Sequence, residues 1–230
     1  MKPSRSNQKR RAFTLVEVVV VVFVLALMLA MLWPALTAQR HNNGPRCVNY
    51  LKQVGLSYRL WAGDNGDKYP MEVSVANGGT MELVGGPDAW KTYQVMSNEL
   101  STPKVLLCPQ DSGHGNYATN FGNDLKNKIS YFIGLDSSLD STNTFLSGDG
   151  NFLLNNSPAN YGLVNINSNA SLAWDTSRHA GIKKQGWFTK TKIGYGNICL
   201  SDGSVQTVTI SGLTNLLHQT GLATNRLAIP

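Results

Sequence analysis

The chain has 230 residues and a formal net charge of +6, long enough for one soluble domain with a real core behind a short N-terminal segment. Five positive charges, Lys2, Arg5, Lys9, Arg10 and Arg11, stand in the first eleven residues with no acid among them, so the chain beyond Phe13 is close to neutral. With no concentrated basic face left, nucleic acid is excluded as a partner. Gly, Asn and Ser are frequent past residue 60, which argues for a loop-rich β or α+β domain over a helical bundle.

The first element is the apolar run "FTLVEVVVVVFVLALMLAMLW", residues 13–33, whose one charge is Glu17. As a helix at ~1.5 Å per residue it would extend about 31 Å, close to the ~30 Å hydrocarbon core of a bilayer. Its apolar residues surround the helix, which sets aside an amphipathic core helix. The basic leader holds that end in the cytoplasm. Three readings follow. One is a plain membrane anchor. A second is an ordinary secretory signal, for which "WPALTA" offers Ala35 and Ala38 but no small-x-small pair after the run. The third makes Glu17 functional: an ionisable residue inside a span calls for a partner, and no basic residue lies elsewhere in the span, so the partner comes from another chain or is created by processing. The bland alternative is a carboxylate that snorkels to the headgroups.

Pro34 should kink or interrupt the helix, because its ring clashes with the carbonyl four residues back. "HNNGP" (41–45) is a stronger breaker and predicts a break near 42–45 with a fresh helix start. In the stretch that follows, Cys47, Leu51, Val54, Tyr58 and Trp61 recur at helical spacing, predicting a helix over 47–62 whose apolar face packs on the domain. "GDNGDKYP" (63–70) ends it with turn formers. Asp64, Asn65 and Asp67 make this loop oxygen-rich, a weak calcium candidate. It lacks the ligand series of an EF-hand, and turn chemistry accounts for the same residues.

Short apolar runs between turn formers predict strands at 104–109, 128–135, 144–149, 162–166 and 171–175, with a loop over 148–160. "YGNICLSDGSVQTVTI" (195–210) predicts a hairpin with a type I′ turn at Asp202-Gly203. Three cysteines, Cys47, Cys108 and Cys199, show no zinc-type spacing. Outside the cytoplasm a disulfide is open to them, and three buried thiols are the other reading. Cys199 suits a strand interior. A hydrolase triad of His179, Asp202 and Ser201 or Ser204 is rejected, since the serines flank the acid in one turn. His41, His114 and His218 sit in polar contexts and read as surface residues, and no phosphate loop or dinucleotide fingerprint occurs.

The residues Phe13, Thr14, Leu15 and Glu17, behind a basic leader and ahead of an apolar run, resemble the N-terminus of type IV pilin-like proteins, including the pseudopilins of type II secretion systems. Ala12 stands where glycine is usual, and Pro34 falls where many pilins have a helix-kinking proline. The resemblance implies cleavage between Ala12 and Phe13 by a membrane prepilin peptidase and N-methylation of Phe13. It also implies that Glu17 of one subunit pairs with the Phe13 amine of its neighbour during assembly. A narrower resemblance covers "CVNYLKQVGLSYRLWAGDNGDKYP", "VLLCPQD" (105–111) and the Asp-Gly hairpin. These match pilin-like proteins abundant in Planctomycetes, Verrucomicrobia and relatives, whose hairpin follows a histidine to which His179 corresponds across a longer spacer. Cys47 and Cys108 both lie in resembling segments, which implies a disulfide between them.

The expectation is an α+β pilin-like chain: a cleaved leader (1–12), a transmembrane and assembly helix (13–34), a stem and second helix (35–62), and a β-rich periplasmic head (63–230) with an antiparallel sheet. It would sit in the inner membrane with its N-terminus cytoplasmic and then enter a filament. The function implied is a structural subunit of a type II secretion pseudopilus, with no catalysis and no cofactor. Its partners would be other pilin-like subunits, the prepilin peptidase, a membrane assembly platform and a secretion ATPase. The alternatives are a type IV pilus subunit for adhesion, motility or DNA uptake, and an exported binding protein or enzyme.

Overall fold

Helix α1 (Leu15–Thr37) opens directly after Thr14. Its apolar side chains from Leu15 to Leu29 are exposed. These coordinates are a computed structural model that describes residues 14–37, 44–159, 161–167, 169–185 and 189–230. α1 runs through Pro34 to Thr37, so of the kink or interruption expected at Pro34 the interruption does not occur. A proline withdraws one backbone donor, and the turns on either side carry the helix past it. The chain divides into a unit ending at Asn42 and one spanning Asn43–Pro230. Helix α2 (Gly44–Asp64), grouped from the sequence with the stem over 35–62, falls in the second unit.

The second unit is α+β. After α2 come two short helices, α3 (Lys91–Val95) and α4 (Ser97–Leu100). The strands are β1 (Tyr131–Gly134), β2 (Phe145–Asp149), β3 (Phe152–Leu154), β4 (Ser157–Pro158), β5 (Gly162–Asn167), β6 (Leu172–Trp174), β7 (Ala180–Gln185), β8 (Thr189–Gly194), β9 (Gly196–Leu200), β10 (Val205–Val208) and β11 (Thr224–Ile229). Helix α5 (Ile210–Gln219) precedes the last strand. Six strands form an antiparallel sheet in the order β10-β9-β2-β1-β11-β5, β4-β3-β6 form a second sheet, and β7-β8 a third.

Side-chain alternation divides the core between the two faces of the six-stranded sheet. Tyr131, Ile133, Leu146, Cys199 and Ala228 face a cluster built on α2, in which Cys47, Leu51, Val54, Tyr58 and Trp61 are all buried. Phe132, Phe145, Ile198, Leu200 and Leu227 face a second cluster with Phe152 and Trp174 of the small sheet and Leu213, Leu216 and Leu217 of α5. Each such side chain taken fully from water contributes about 1.5–3 kcal/mol, so the α2 stripe is a main anchor of the head. The contact is close. A Cβ on Gly55 would lie 2.6 Å from Cys199 Sγ, which explains a glycine in the middle of a helix. Arg59 reaches the Asp202 carbonyl, and the Tyr69 hydroxyl donates to the Ser201 carbonyl at 2.8 Å, so the tip of the β9–β10 hairpin is tied to the α2 side.

Three local expectations are corrected. Residues 103–106 form a 3-10 turn, Pro103–Leu106, where a strand was expected over 104–109. Thr102 accepts from the Lys104 N–H as the cap and Pro103 presets the helical φ; the buried Val105 and Leu106 fill the α2-side core. The loop expected over 148–160 contains the β3–β4 hairpin, turned by Asn155 and Asn156 at φ 52° and 64°, a left-handed pair that asparagine tolerates. At the β9–β10 tip only Gly203 has positive φ, 82°, and the Gly203 N–H donates to the Leu200 carbonyl at 2.9 Å. That is a type I turn closed by a glycine bulge, a three-residue connection in place of type I′.

Candidate functional site

The N-terminal site is built on the first turn of α1. The Thr14 N–H and hydroxyl both donate to Glu17 Oε2, at 2.8 and 2.9 Å, and the Glu17 N–H donates back to Thr14 Oγ1 at 3.3 Å. This reciprocal pattern is a capping box, which satisfies donors that a helix start leaves open. Within a single chain Glu17 therefore has partners, and Oε1 accepts no hydrogen bond among the described residues. The signal was legible as Thr-x-x-Glu ahead of an apolar run, and the sequence reading passed over it. Ala12 and Phe13, the expected cleavage and methylation positions, lie outside the described residues. Among the described residues no helix is long and apolar enough to cross a membrane.

In the head, the structure joins Cys47 of α2 to Cys108 by a disulfide across a separation of 61 residues. Cys199 is a buried free thiol, pushed up to about 12 by burial. His179, 1% exposed, lies against the bridge, its Nε2 3.9 Å from Cys108 Sγ. The same nitrogen donates to Gln110 Oε1, which also accepts from the Tyr195 hydroxyl at 2.7 Å. On the other edge of the ring, Nδ1 is 3.3 Å from Asp149 Oδ2. That oxygen accepts from the Asn197 N–H at 2.7 Å and from its side-chain amide at 2.8 Å.

A bulge explains why Asp149 is there. Between Phe145 and Ser147 the β2–β9 register shifts. Phe145 packs with the α5-side cluster, and both Leu146 and the residues paired with Ser147 and Asp149 belong to the α2 side. The extra residue thus turns Ser147 and Asp149 to the α2 side of the sheet, where Ser147 Oγ bonds to Tyr93 and Asp149 meets His179. Nothing in the alternation of the sequence announces this.

Beside that junction lies a second buried polar group. Arg178 grips Asp111 in a fork, Nε to Oδ1 at 3.1 Å and Nη2 to Oδ2 at 2.8 Å, and His114 Nδ1 meets Oδ2 at 2.8 Å. Burial pushes the Asp111 carboxyl up, but the hydrogen bonds from His114 and Arg178 and the Arg178 charge outweigh it and hold it well below the usual carboxylate range. His114 is buried, which corrects its reading as a surface residue. Asp111, three residues back in the sequence, is its buried partner. His114 and Arg178 also line a cavity of about 190 Å³.

The oxygen-rich loop caps the end of α2. The Asn65 side-chain amide donates to the Trp61 carbonyl at 2.7 Å, and the Asn65 and Asp67 N–H groups both donate to the Ala62 carbonyl at 2.9 Å. Gly66 and Asp67 take positive φ, 69° and 59°. Asp64 and Asp67 belong to no group of three liganding side chains; among the described residues that arrangement occurs at Cys47, Cys108 and His179. At the hairpin tip, Ser201 Oγ bonds to the Ser141 and Thr144 carbonyls, and Asp202 Oδ1 accepts the Ser204 N–H at 2.8 Å. Both are occupied in holding the turn.

Residues 7–33 match the family model described as the prokaryotic N-terminal methylation motif. No curated protein and no solved structure matches the chain. The motif supports a type IV pilin-like or pseudopilin chain, a substrate of the prepilin peptidase that assembles with other pilin-like subunits.

Proposed function

We propose that this chain is a non-catalytic structural subunit of a type II secretion pseudopilus. Prepilin peptidase cuts it between Ala12 and Phe13, the new Phe13 amine is methylated, and residues 13–34 lie in the inner membrane until the subunit enters a filament. The single observation that carries the reading is the methylation motif over residues 7–33, with Glu17 at its centre. Removal of the leader places a cation at the edge of an apolar run in which an unpaired carboxylate is costly. The Thr14 donors hold Glu17 Oε2 at the helix mouth, and Oε1 faces no donor of its own chain among the described residues, so it is the oxygen available to the Phe13 amine of an adjoining subunit. Buried polar pairs of this kind set register between helices. The head, with its sheet covered on both faces, is the periplasmic body that the helix carries.

The same motif suits a type IV pilus subunit. Deletion of the chain followed by assays of secretion and of surface piliation separates the two. Mass spectrometry of the mature protein tests the core of the proposal. A chain beginning at methyl-Phe13 supports it; one that retains Met1 to Ala12, or begins near residue 36–39, overturns it in favour of an anchor or an exported binding protein or enzyme.

A further inference from the structure

The disulfide junction carries more than a cross-link. Cys47 Sγ, Cys108 Sγ and a His179 ring nitrogen lie within 4.8 Å of one another, all buried. A tetrahedral site with Zn–S of ~2.3 Å and Zn–N of ~2.0 Å needs sulfur–nitrogen separations of about 3.5 Å and a sulfur–sulfur separation of about 3.8 Å. The 3.9 Å from Cys108 Sγ to His179 Nε2 is already close to that. The two sulfurs need only part by rotation of their side chains once the bond between them is absent. Behind the histidine stands Asp149, whose Oδ2 is 3.3 Å from Nδ1. A carboxylate facing the far nitrogen is the arrangement that fixes a metal-ligating histidine with its lone pair on Nε2. In the oxidised chain this carboxylate is under-used: Asp149 Oδ1 and His179 Nδ1, both buried, have no hydrogen-bond partner among the described residues. Unsatisfied buried polar atoms call for an explanation, and a second state of the site supplies one.

We infer that the reduced chain binds a d10 metal ion, zinc by chemical class, through the Cys47 and Cys108 thiolates and His179 Nε2. Asp149 holds the ring, and Gln110 Oε1, which now bonds that same nitrogen, is the fourth donor at hand. Two sulfurs and an imidazole select zinc or copper(I) over calcium or magnesium. The ion enters a chain whose thiols have not yet been oxidised, and displaces their two protons. A disulfide oxidant then takes two electrons from the thiolates, closes the Cys47–Cys108 bond, is itself reduced to two thiols with two protons from solvent, and releases the ion. Metal and disulfide are thus exclusive occupants of one site, and the ion guards the pair against mispairing with Cys199. The inference rests on the head alone and stands whether or not the filament reading does.

The test uses the full chain in detergent micelles, reduced with a phosphine and freed of metal, with cobalt(II) as the probe and zinc as competitor. The expected result is thiolate-to-cobalt charge-transfer absorption with tetrahedral d–d bands at one ion per chain, abolished by one equivalent of zinc and absent from the oxidised chain. Cys199→Ser should leave it unchanged. His179→Ala should change the d–d envelope, and Asp149→Asn should weaken binding by ~10–100-fold, the usual effect of losing such a partner. Each variant is first shown to fold by near-UV circular dichroism in its oxidised form; if His179→Ala does not fold, Asp149→Asn decides. If reduction unfolds the head, zinc must restore its near-UV signal. Absence of thiolate charge transfer in the reduced chain, its loss in Cys199→Ser, or equal affinity in wild type and Asp149→Asn overturns the inference.

Discussion

Breaking the Cys47–Cys108 bridge offers the sharpest test of how the head is held together. The bridge closes a loop across a separation of 61 residues. By the chain-entropy relation such a cross-link removes about 14 cal/mol/K from the unfolded ensemble, or about 4 kcal/mol at 25 °C. Both sulfurs are buried, and on reduction they part from bonding to non-bonded distance by rotation of their side chains, so the loop-closure term sets the scale of the difference between the two forms. Domains of this size have about 5–15 kcal/mol in all, so the loss is a large share. With a denaturant slope of about 2 kcal/mol/M in urea, the midpoint should fall by about 2 M. The assay is urea unfolding of the full chain in micelles, with and without reductant, in the presence of a chelator so that no ion bridges the thiols. The head's tryptophans at 61, 90 and 174 are buried, so their fluorescence reports the transition. Equal midpoints with and without reductant would refute the reasoning, because they would mean that the loop is already closed in the unfolded state or that the bridge is strained by as much as it stabilises.

Gly55→Ala should lower stability by about 1–2 kcal/mol in the same assay: the ~1 kcal/mol gained in helix propensity is outweighed by the overpacking of a Cβ set 2.6 Å from Cys199 Sγ, and a stabilised variant would show that α2 can shift outward freely. Asp111 has a folded-state pKa held below its unfolded value, so its contribution is fully present above pH ~4 and is lost as pH falls below that. Stability measured from pH 6 downward should drop accordingly, and Arg178→Ala should remove part of that acid slope while costing about 2–3 kcal/mol at neutral pH, since it leaves a buried carboxylate short of its fork; an unchanged slope would exclude Asp111 as its source. Glu17→Ala should be inserted and cleaved yet fail to join filaments, whereas Thr14→Ala, which forfeits a cap worth about 1 kcal/mol, should assemble at reduced yield. Normal incorporation of the Glu17 variant, read by cross-linking of sheared filaments, would remove the carboxylate from the assembly step.

Much of the fold was legible because its signals are local. The buried stripe of α2 could be read from Cys47 to Trp61, since a 3.6-residue period records which side of a helix meets a core. β1, β2, β5, β6 and the β9–β10 hairpin follow from short apolar runs between turn formers, and Thr14-x-x-Glu17 names its own cap. The failures have physical causes too. Val105 and Leu106 look like strand residues, but Thr102 and Pro103 dictate a 3-10 turn. Asn155-Asn156 is a hairpin turn written in residues that also fill ordinary loops.

By itself, then, the sequence determined what depends on neighbours along the chain: the apolar segment with its single carboxylate, the amphipathic second helix, the positions of most strands and the methylation motif. Only the tertiary structure decided what depends on meetings between distant segments. His179 and Cys108 are 71 residues apart, and Arg178 and Asp111 are 67 apart. Asp149 faces His179 because one extra residue in β2 turns its side chain across the sheet. The reason is that period and turn chemistry are properties of the local backbone, whereas the partner of a buried charge is selected by which surfaces the whole chain can bury together.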